Sequence, residues 1–107
     1  MRKLISLMVV AALTAALVLS AVAFGATKKV GVRGLSFTPK TLKVKRGTIV
    51  KWSWSGSVPH NVSGKGFKSG APKGKVTYSH KFTKKGTYKY VCTIHKAAGM
   101  IGTIKVS

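Results

Sequence analysis

The sequence predicts an all-β sandwich of about seven to eight short strands that follows an N-terminal export segment. Three observations support this fold class. Beyond residue 26, short segments alternate apolar and polar residues, which is the period of a half-buried strand. Turn residues separate these segments at intervals of roughly 8–12 residues, as in β-sandwiches. No useful helical period occurs in this region, and 45% of the 107 residues are hydrophobic, a proportion typical of globular chains.

Residues 1–26 are predicted to form a signal peptide. Two basic residues follow the initial methionine, a long apolar run comes next, and Ala21-Val22-Ala23 has the small-x-small pattern of a cleavage site. We expect cleavage after about Ala23 to Ala26, so that residues 27–107 form the folded domain. The alternative is an uncleaved membrane anchor, because a run of about 20 apolar residues can span a bilayer.

The first four predicted strands lie before residue 55. Lys28–Arg33 has valines at alternate positions, and Leu35–Pro39 is extended, with a proline that limits its pairing. Thr41–Lys45 places a leucine and a valine on one side, and a glycine turn follows it. Thr48–Trp54 places a valine and both tryptophans of the chain on one face, so the tryptophans are predicted core residues.

Three further strands are predicted after a long loop. Residues 55–75 are rich in Gly, Ser and Lys, which predicts a loop. Val76–Phe82 alternates apolar and polar residues, and His80 shares the apolar side, so we expect a neutral histidine packed at the core or its rim. A Lys-Lys-Gly turn leads into Thr87–Cys92, and Ile101–Val106 is the last predicted strand.

The charge composition excludes several classes of functional site. The chain has 20 Lys and Arg, no Asp or Glu, and a formal net charge of +20. Paired-carboxylate hydrolysis, a Ser-His-Asp triad and carboxylate sites for calcium or magnesium all require residues that it lacks. The basic charge favours acidic proteins, polyanions and anionic membrane or cell-wall surfaces as partners. Nucleic acid is less expected, because the lysines are dispersed and no nucleic-acid motif is present.

Candidate metal ligands are concentrated in the C-terminal third. Cys92, His95 and Met100 form a C-x2-H-x4-M motif, and His60 lies upstream at another predicted strand boundary. Each residue alone could be structural, but together they make a thiolate, two imidazoles and a thioether. This is the ligand set of a mononuclear copper electron-transfer site, whereas zinc gains little from a thioether. A single cysteine in an exported domain cannot form an internal disulfide, which also favours a metal ligand.

Three stretches of the chain resemble a known family. They are Gly-Leu-Ser-Phe-Thr-Pro at 34–39, Val-Pro-His-Asn-Val at 58–62, and the run from Lys85 to Met100 that contains Tyr-Val-Cys-Thr-Ile-His. In these stretches the chain resembles the cupredoxins, the small blue-copper proteins of the plastocyanin family. The resemblance covers most of residues 28–107. It implies a cupredoxin-like Greek-key β-sandwich with one type 1 copper ion that cycles between Cu(II) and Cu(I).

The resemblance also implies the copper ligands. His60, Cys92 and His95 would form the trigonal plane, and Met100 would be the axial ligand. Four protein ligands leave no good open position for a substrate, so the protein is not expected to be an enzyme.

The resemblance implies further roles around the copper. The side chain of Asn61 would tie its loop to Thr93, which would keep the ligands in place. His95 would reach the surface inside an apolar patch through which electrons enter and leave. The residues expected in this patch are Leu35, Pro59, Ala97 and Ala98.

Two departures from the family pattern bear on function. The acidic surface of plant plastocyanins is absent, and Trp54 stands where a small polar residue is more usual. The sequence therefore predicts a monomeric electron carrier, exported to the periplasm or the extracellular envelope, with acidic redox partners. An exported module for copper storage or delivery uses the same ligands and remains an alternative. A second alternative is a basic polyanion-binding domain that contains no metal.

Overall fold

The computed structural model describes residues 26–107, so nearly all of the predicted signal peptide lies outside the described residues. No helix within 26–107 is long and apolar enough to cross a membrane. Nine strands and one 3-10 turn, Lys96–Ala98, occur in this part of the chain. The strands are β1 (Thr27–Arg33), β2 (Ser36–Thr38), β3 (Thr41–Val44), β4 (Thr48–His60), β5 (Ser63–Gly64), β6 (Phe67–Lys68), β7 (Lys73–Phe82), β8 (Gly86–Val91) and β9 (Ile101–Val106).

The strands form two sheets that pack face to face. One sheet has the order β2-β1-β4-β7 and the other has the order β3-β9-β8-β5-β6. The chain passes between the sheets, so β1 pairs in parallel with β4 and β3 pairs in parallel with β9. The predicted all-β Greek-key sandwich is therefore confirmed.

The core lies between the sheets and is rich in aromatic rings. Trp52 is fully buried at its centre, with ring centroids 5.3 Å from Tyr90 and 5.6 Å from Tyr78. Trp54 is also buried, so both tryptophans are core residues as predicted. His80 is half-buried and stacks on Phe67 at 5.4 Å, which places it at the rim of the core.

The predicted loop at 55–75 is the main error in the strand assignment. In the structure β4 continues to His60, β7 already begins at Lys73, and the short strands β5 and β6 lie between them. Gly and, to a lesser degree, Lys are depleted in strands, and Ser favours turns, which is why composition indicates a loop here. The backbones approach closely instead, since a Cβ atom on Gly74 would lie 2.7 Å from the carbonyl oxygen of Gly56.

Candidate metal centre

Two segments bring the candidate ligands to one end of the sandwich. His60 is the last residue of β4, and the other three candidates belong to the connection between β8 and β9. This connection folds back on itself, because the Cys92 N–H donates to Met100 O at 3.1 Å and the His95 N–H donates to Cys92 O at 3.1 Å. Gly99 allows the reversal with a φ of 86°.

A sulfur and two ring nitrogens converge at this end. Cys92 Sγ lies 3.4 Å from His95 Nδ1 and 3.9 Å from His60 Nδ1. The candidate ligand atoms of these three residues all lie within 4.8 Å of one another. Cys92 and His60 are buried and His95 is half-buried, so one imidazole reaches towards solvent.

These separations fit a single metal ion. Typical zinc distances are about 2.3 Å to sulfur and about 2.0–2.1 Å to nitrogen, and we use them as a guide for a first-row metal. With an angle of about 120° between such bonds, sulfur and nitrogen would lie about 3.8 Å apart. The two observed separations, 3.4 and 3.9 Å, bracket this value.

Met100 is fully buried and comes directly before β9. Its amide N–H donates to His95 O at 3.3 Å, which connects the two residues through the backbone. A soft thioether added to a thiolate and two imidazoles would favour copper over a hard cation. Met100 as the axial ligand stays a prediction.

The electrostatics of the site favour a neutral His60. Burial lowers the pKa of His60, and the charge of the nearby His95 lowers it further. Both effects disfavour the protonated imidazole. Since a metal binds the neutral form, His60 is prepared for coordination near neutral pH.

Asn61 connects the two segments that carry the ligands. Its Oδ1 accepts a hydrogen bond from the Thr93 N–H at 2.8 Å, and its Nδ2 donates to Thr93 Oγ1 at 3.1 Å. Nδ2 also donates to Gly70 O at 3.0 Å. Because Asn61 follows His60 and Thr93 follows Cys92, these bonds fix the separation of two candidate ligands.

The four residues of the predicted apolar patch are all exposed: Leu35, Pro59, Ala97 and Ala98. Three other exposed apolar residues, which the sequence pattern does not single out, lie beside the candidate ligands in the chain. Val58 is 45% exposed, Ile94 is 50% exposed and Ile101 is 38% exposed. Each comes within two residues of a candidate ligand, and this proximity could have identified them.

Trp54 contacts one of the candidate ligands, which the sequence does not indicate. Its ring meets His60 edge to face, with a centroid distance of 6.3 Å and an interplanar angle of 80°. Its Nε1–H donates to Lys73 O at 2.8 Å. The strand period predicts burial for Trp54, but no sequence signal indicates either contact.

Comparisons with known proteins agree with this geometry. Residues 25–107 match the family described as copper binding proteins, plastocyanin/azurin family. Plastocyanin from Vicia faba is 33% identical over 89 residues, covering 69% of this chain and 90% of the relative. Halocyanin from Natronomonas pharaonis is 36% identical over 83 residues, covering 71% of this chain and 51% of the relative. The chain also spans about half, 53%, of the chloroplastic plastocyanin from Pisum sativum.

Solved structures show the same fold. A reduced mutant amicyanin superposes with a TM-score of 0.66 at 30% identity, covering 81% of this chain and 88% of the amicyanin. A purple cupredoxin from Nitrosopumilus maritimus gives a TM-score of 0.63 at 27% identity, covering 74% of this chain and 98% of that protein. The chain therefore belongs to the plastocyanin/azurin family of copper-binding proteins, as a plastocyanin-like blue copper protein with a site for one type 1 copper ion.

Proposed function

We propose that this blue copper protein shuttles single electrons between redox partners outside the cytoplasm. The observation that carries the proposal is the convergence of His60, Cys92 and His95, whose ligand atoms lie within 4.8 Å of one another. His60, Cys92 and His95 would hold the copper ion through two imidazoles and a thiolate, and Met100 would contribute its thioether as the fourth ligand. With four protein ligands, the site has no position for a substrate, and we propose no enzymatic activity.

The protein contributes a rigid set of ligands. Copper, when bound, supplies a couple that gains and loses one electron. Ligand positions that change little between the two oxidation states keep the barrier to electron transfer low. Strand ends, the hydrogen bonds of Asn61 and the closed connection between β8 and β9 hold the ligands of this chain in place.

The exposed apolar patch serves as the electron port. His95 is half-buried, whereas the other candidate ligands are buried, so His95 offers the shortest route to a partner. The patch lets a partner approach His95 across a surface that is readily desolvated. The residues of the patch are Leu35, Pro59, Ala97 and Ala98.

The partners are acidic redox proteins, which the basic surface attracts. The full chain has a net charge of +20, and all of its basic residues except Arg2 and Lys3 lie in the exported domain. This charge speeds the approach of an acidic partner, and the apolar patch sets the final contact. An anionic membrane or cell-wall surface is a second docking target, and nucleic acid is not favoured. The protein acts as a monomer. Association rates with an acidic partner should fall steeply with rising salt, and stopped-flow rates that do not change with salt would contradict this steering.

The place of action depends on export. Residues 1–26 act as a signal peptide with cleavage after about Ala23 to Ala26, and residues 27–107 are the exported domain. The protein then works in the periplasm or the extracellular envelope. Mass spectrometry of the exported protein tests this, because a retained N-terminus would indicate an uncleaved anchor instead.

Titration of the purified domain with Cu(II) tests the function. We expect an intense visible band from thiolate-to-copper charge transfer at one equivalent of copper. Cys92→Ser should abolish the band, whereas Ser63→Ala, a small change on β5, should leave it unchanged. Cyclic voltammetry should then show a reversible one-electron couple. Absence of the band in the wild-type protein contradicts the proposal, and ready loss of the copper to a chelator favours storage or delivery instead.

A further inference from the structure

The strand that ends at His60 is interrupted by a bulge just before this ligand. Along β4 and β7, Trp54 is paired with Val76 and Ser55 with Lys75, but the next pair is His60 with Lys73. Residues 56–59 therefore lie opposite the single residue 74. A bulge of this size leaves residues without ladder partners, so the position of His60 needs other contacts to define it.

Trp54 provides such a contact across the bulge. It lies on the side of the bulge remote from His60, and its indole N–H donates to the carbonyl of Lys73 at 2.8 Å. Lys73 is the residue that pairs with His60. The indole therefore connects the regular part of the sheet to the short ladder that holds the ligand.

The same indole also contacts the ligand side chain. The rings of Trp54 and His60 meet edge to face at 6.3 Å, an arrangement that favours one orientation of the imidazole. Both side chains are buried, with exposures of 6% and 4%. Trp54 therefore restrains the backbone that carries the ligand and also the ring of the ligand.

Ordinary core packing does not require the hydrogen bond of Trp54. Trp52 lies on the same face of β4 and is fully buried, yet its Nε1 has no hydrogen-bond partner among the described residues. The bulge itself is tight at its other side, since a Cβ on Gly74 would come 2.7 Å from Gly56 O. Of the two core tryptophans of β4, Trp54 alone bonds across the bulge.

We propose that Trp54 is a positioning residue that holds the bulge closed and restrains His60 when the copper changes oxidation state. This inference rests on the proposed electron-transfer function. Its physical basis is that any freedom of a ligand adds to the rearrangement that accompanies each electron transfer. Phe in place of Trp54 keeps a ring in the core but removes the N–H that spans the bulge.

The first test needs no copper. Hydrogen exchange of the apo-protein is compared for Trp54→Phe and for the control Trp52→Phe. The control removes an indole N–H that lies near the Tyr90 phenol and makes no hydrogen bond of good geometry within residues 26–107. We expect the amides of the ladder residues that flank the bulge, Ser55, His60 and Lys75, to exchange about fivefold faster in Trp54→Phe, the effect of losing one neutral hydrogen bond. In Trp52→Phe, the exchange rates of these amides relative to the amides of β8 and β9 should equal the wild-type values. Equal effects in the two variants overturn the inference.

The second test uses the copper-loaded proteins. Trp54→Phe should change the intensity ratio of the charge-transfer bands and slow electron self-exchange about threefold or more, while Trp52→Phe should change neither. A wild-type spectrum and rate in Trp54→Phe overturn the inference even though copper is bound. A wild-type protein without any charge-transfer band instead refutes the proposed function, so the two failures are distinguishable.

A third measurement uses only the wild-type protein, so it stands if Trp54→Phe does not fold. In the apo-protein, the indole proton of Trp54 should exchange together with the amides of the ladder residues that flank the bulge, as one local opening unit. The indole proton of Trp52 should exchange with the slow amides of the sheet core. Exchange of the Trp54 proton at the rate of the core overturns the inference.

Discussion

Asn61 shows how one side chain sets the geometry of a site built from distant segments. It is 4% exposed and binds the segment after Cys92 through both of its polar atoms. Its Oδ1 also accepts from the Thr93 hydroxyl at 3.3 Å, and its Nδ2 donates to Gly70 O, which connects the site to the segment between β6 and β7. A buried amide whose hydrogen bonds are all made is costly to remove, because its former partners lose their bonds.

We expect Asn61→Ala to lower the free energy of unfolding of the apo-protein by about 2–3 kcal/mol, since buried hydrogen bonds to the backbone are lost. Thr93→Ala is the matched control, because it removes the hydroxyl but keeps the 2.8 Å bond from the Thr93 N–H to Asn61. Thr93→Ala should lower the free energy of unfolding by about 1 kcal/mol or less. Denaturant titration measures both values, and equal losses in the two variants would show that Asn61 has no special part in joining the segments.

Tyr90 is a buried phenol whose ionisation couples to stability. Burial raises the pKa of Tyr90 to about 12. The nearby indole nitrogen of Trp52 offsets part of this rise in pKa, although the geometry between the indole and the phenol is not that of a good hydrogen bond. The unfolded chain ionises near pH 10, so the folded state favours the neutral phenol. The resulting stabilisation is present below about pH 10 and is lost as the pH rises towards about 12.

Between pH 9 and pH 12, the wild-type protein should therefore lose up to about 2 kcal/mol of unfolding free energy relative to Tyr90→Phe. The loss of charge on the lysines occurs in both proteins and cancels in the comparison. Near pH 9 the two proteins should be similar in stability, because the phenol makes no hydrogen bond of good geometry in the part of the chain that the structure describes. Parallel pH curves for the two proteins would contradict the assigned environment of Tyr90.

At the scale of elements, the two-residue period of apolar side chains predicts the strands that alternate apolar and polar residues. It fails where a glycine-rich segment forms strands. Each of the seven predicted strands has a counterpart in the structure. The failures lie at 55–75, where glycines permit pairing that an apolar pattern cannot indicate. Gly64 is an example, because a Cβ there would collide with the ring of Phe67. Pairing of this kind depends on close approach between distant residues, and local composition carries no information about it.

In the candidate site, too, local sequence predicts some features, whereas others depend on distant residues. The ligand motif and the resemblance indicate His60, Cys92 and His95 from the sequence, and the structure brings them together. The contacts of Trp54 depend on a bulge whose register spans β4 and β7. Long-range register of this kind cannot be read from the two-residue period of either strand.

Gly102 in β9 offers a test of close packing between elements. It pairs with Tyr90 in β8, and a Cβ at this position would collide with the Tyr90 ring. We expect Gly102→Ala to destabilise the apo-protein by about 1–3 kcal/mol, the cost of overpacking a tight core. Gly31→Ala in β1 is the control, because its Cβ would meet Thr38 O at an ordinary 3.6 Å. Equal melting temperatures for the two variants would show that the ring moves aside freely.

For the whole molecule, the fold must tolerate its own charge. The chain carries +20 with no acidic side chain, so the lysines have no side-chain carboxylate as a partner. The strand register even places lysines directly opposite each other, Lys29 with Lys51 and Lys43 with Lys105. Neighbouring strands lie about 4.8 Å apart, so these pairs repel unless salt or an anionic partner screens them. The sandwich tolerates this repulsion, which agrees with the proposed docking to acidic partners.

Replacing one member of an opposed pair tests how much this repulsion costs. Lys105→Glu places a carboxylate opposite Lys43, so repulsion becomes attraction. Lys28→Glu makes the same change in charge, but the residue opposite is Val50. At low salt, Lys105→Glu should be the more stable variant by about 0.5–1 kcal/mol, because opposed charges on neighbouring strands interact by about this amount. In 1 M salt, where the screening length is about 3 Å, the difference should nearly vanish. Denaturant titration at both salt concentrations measures it, and equal stabilities at low salt would show that the opposed lysines avoid each other at no cost.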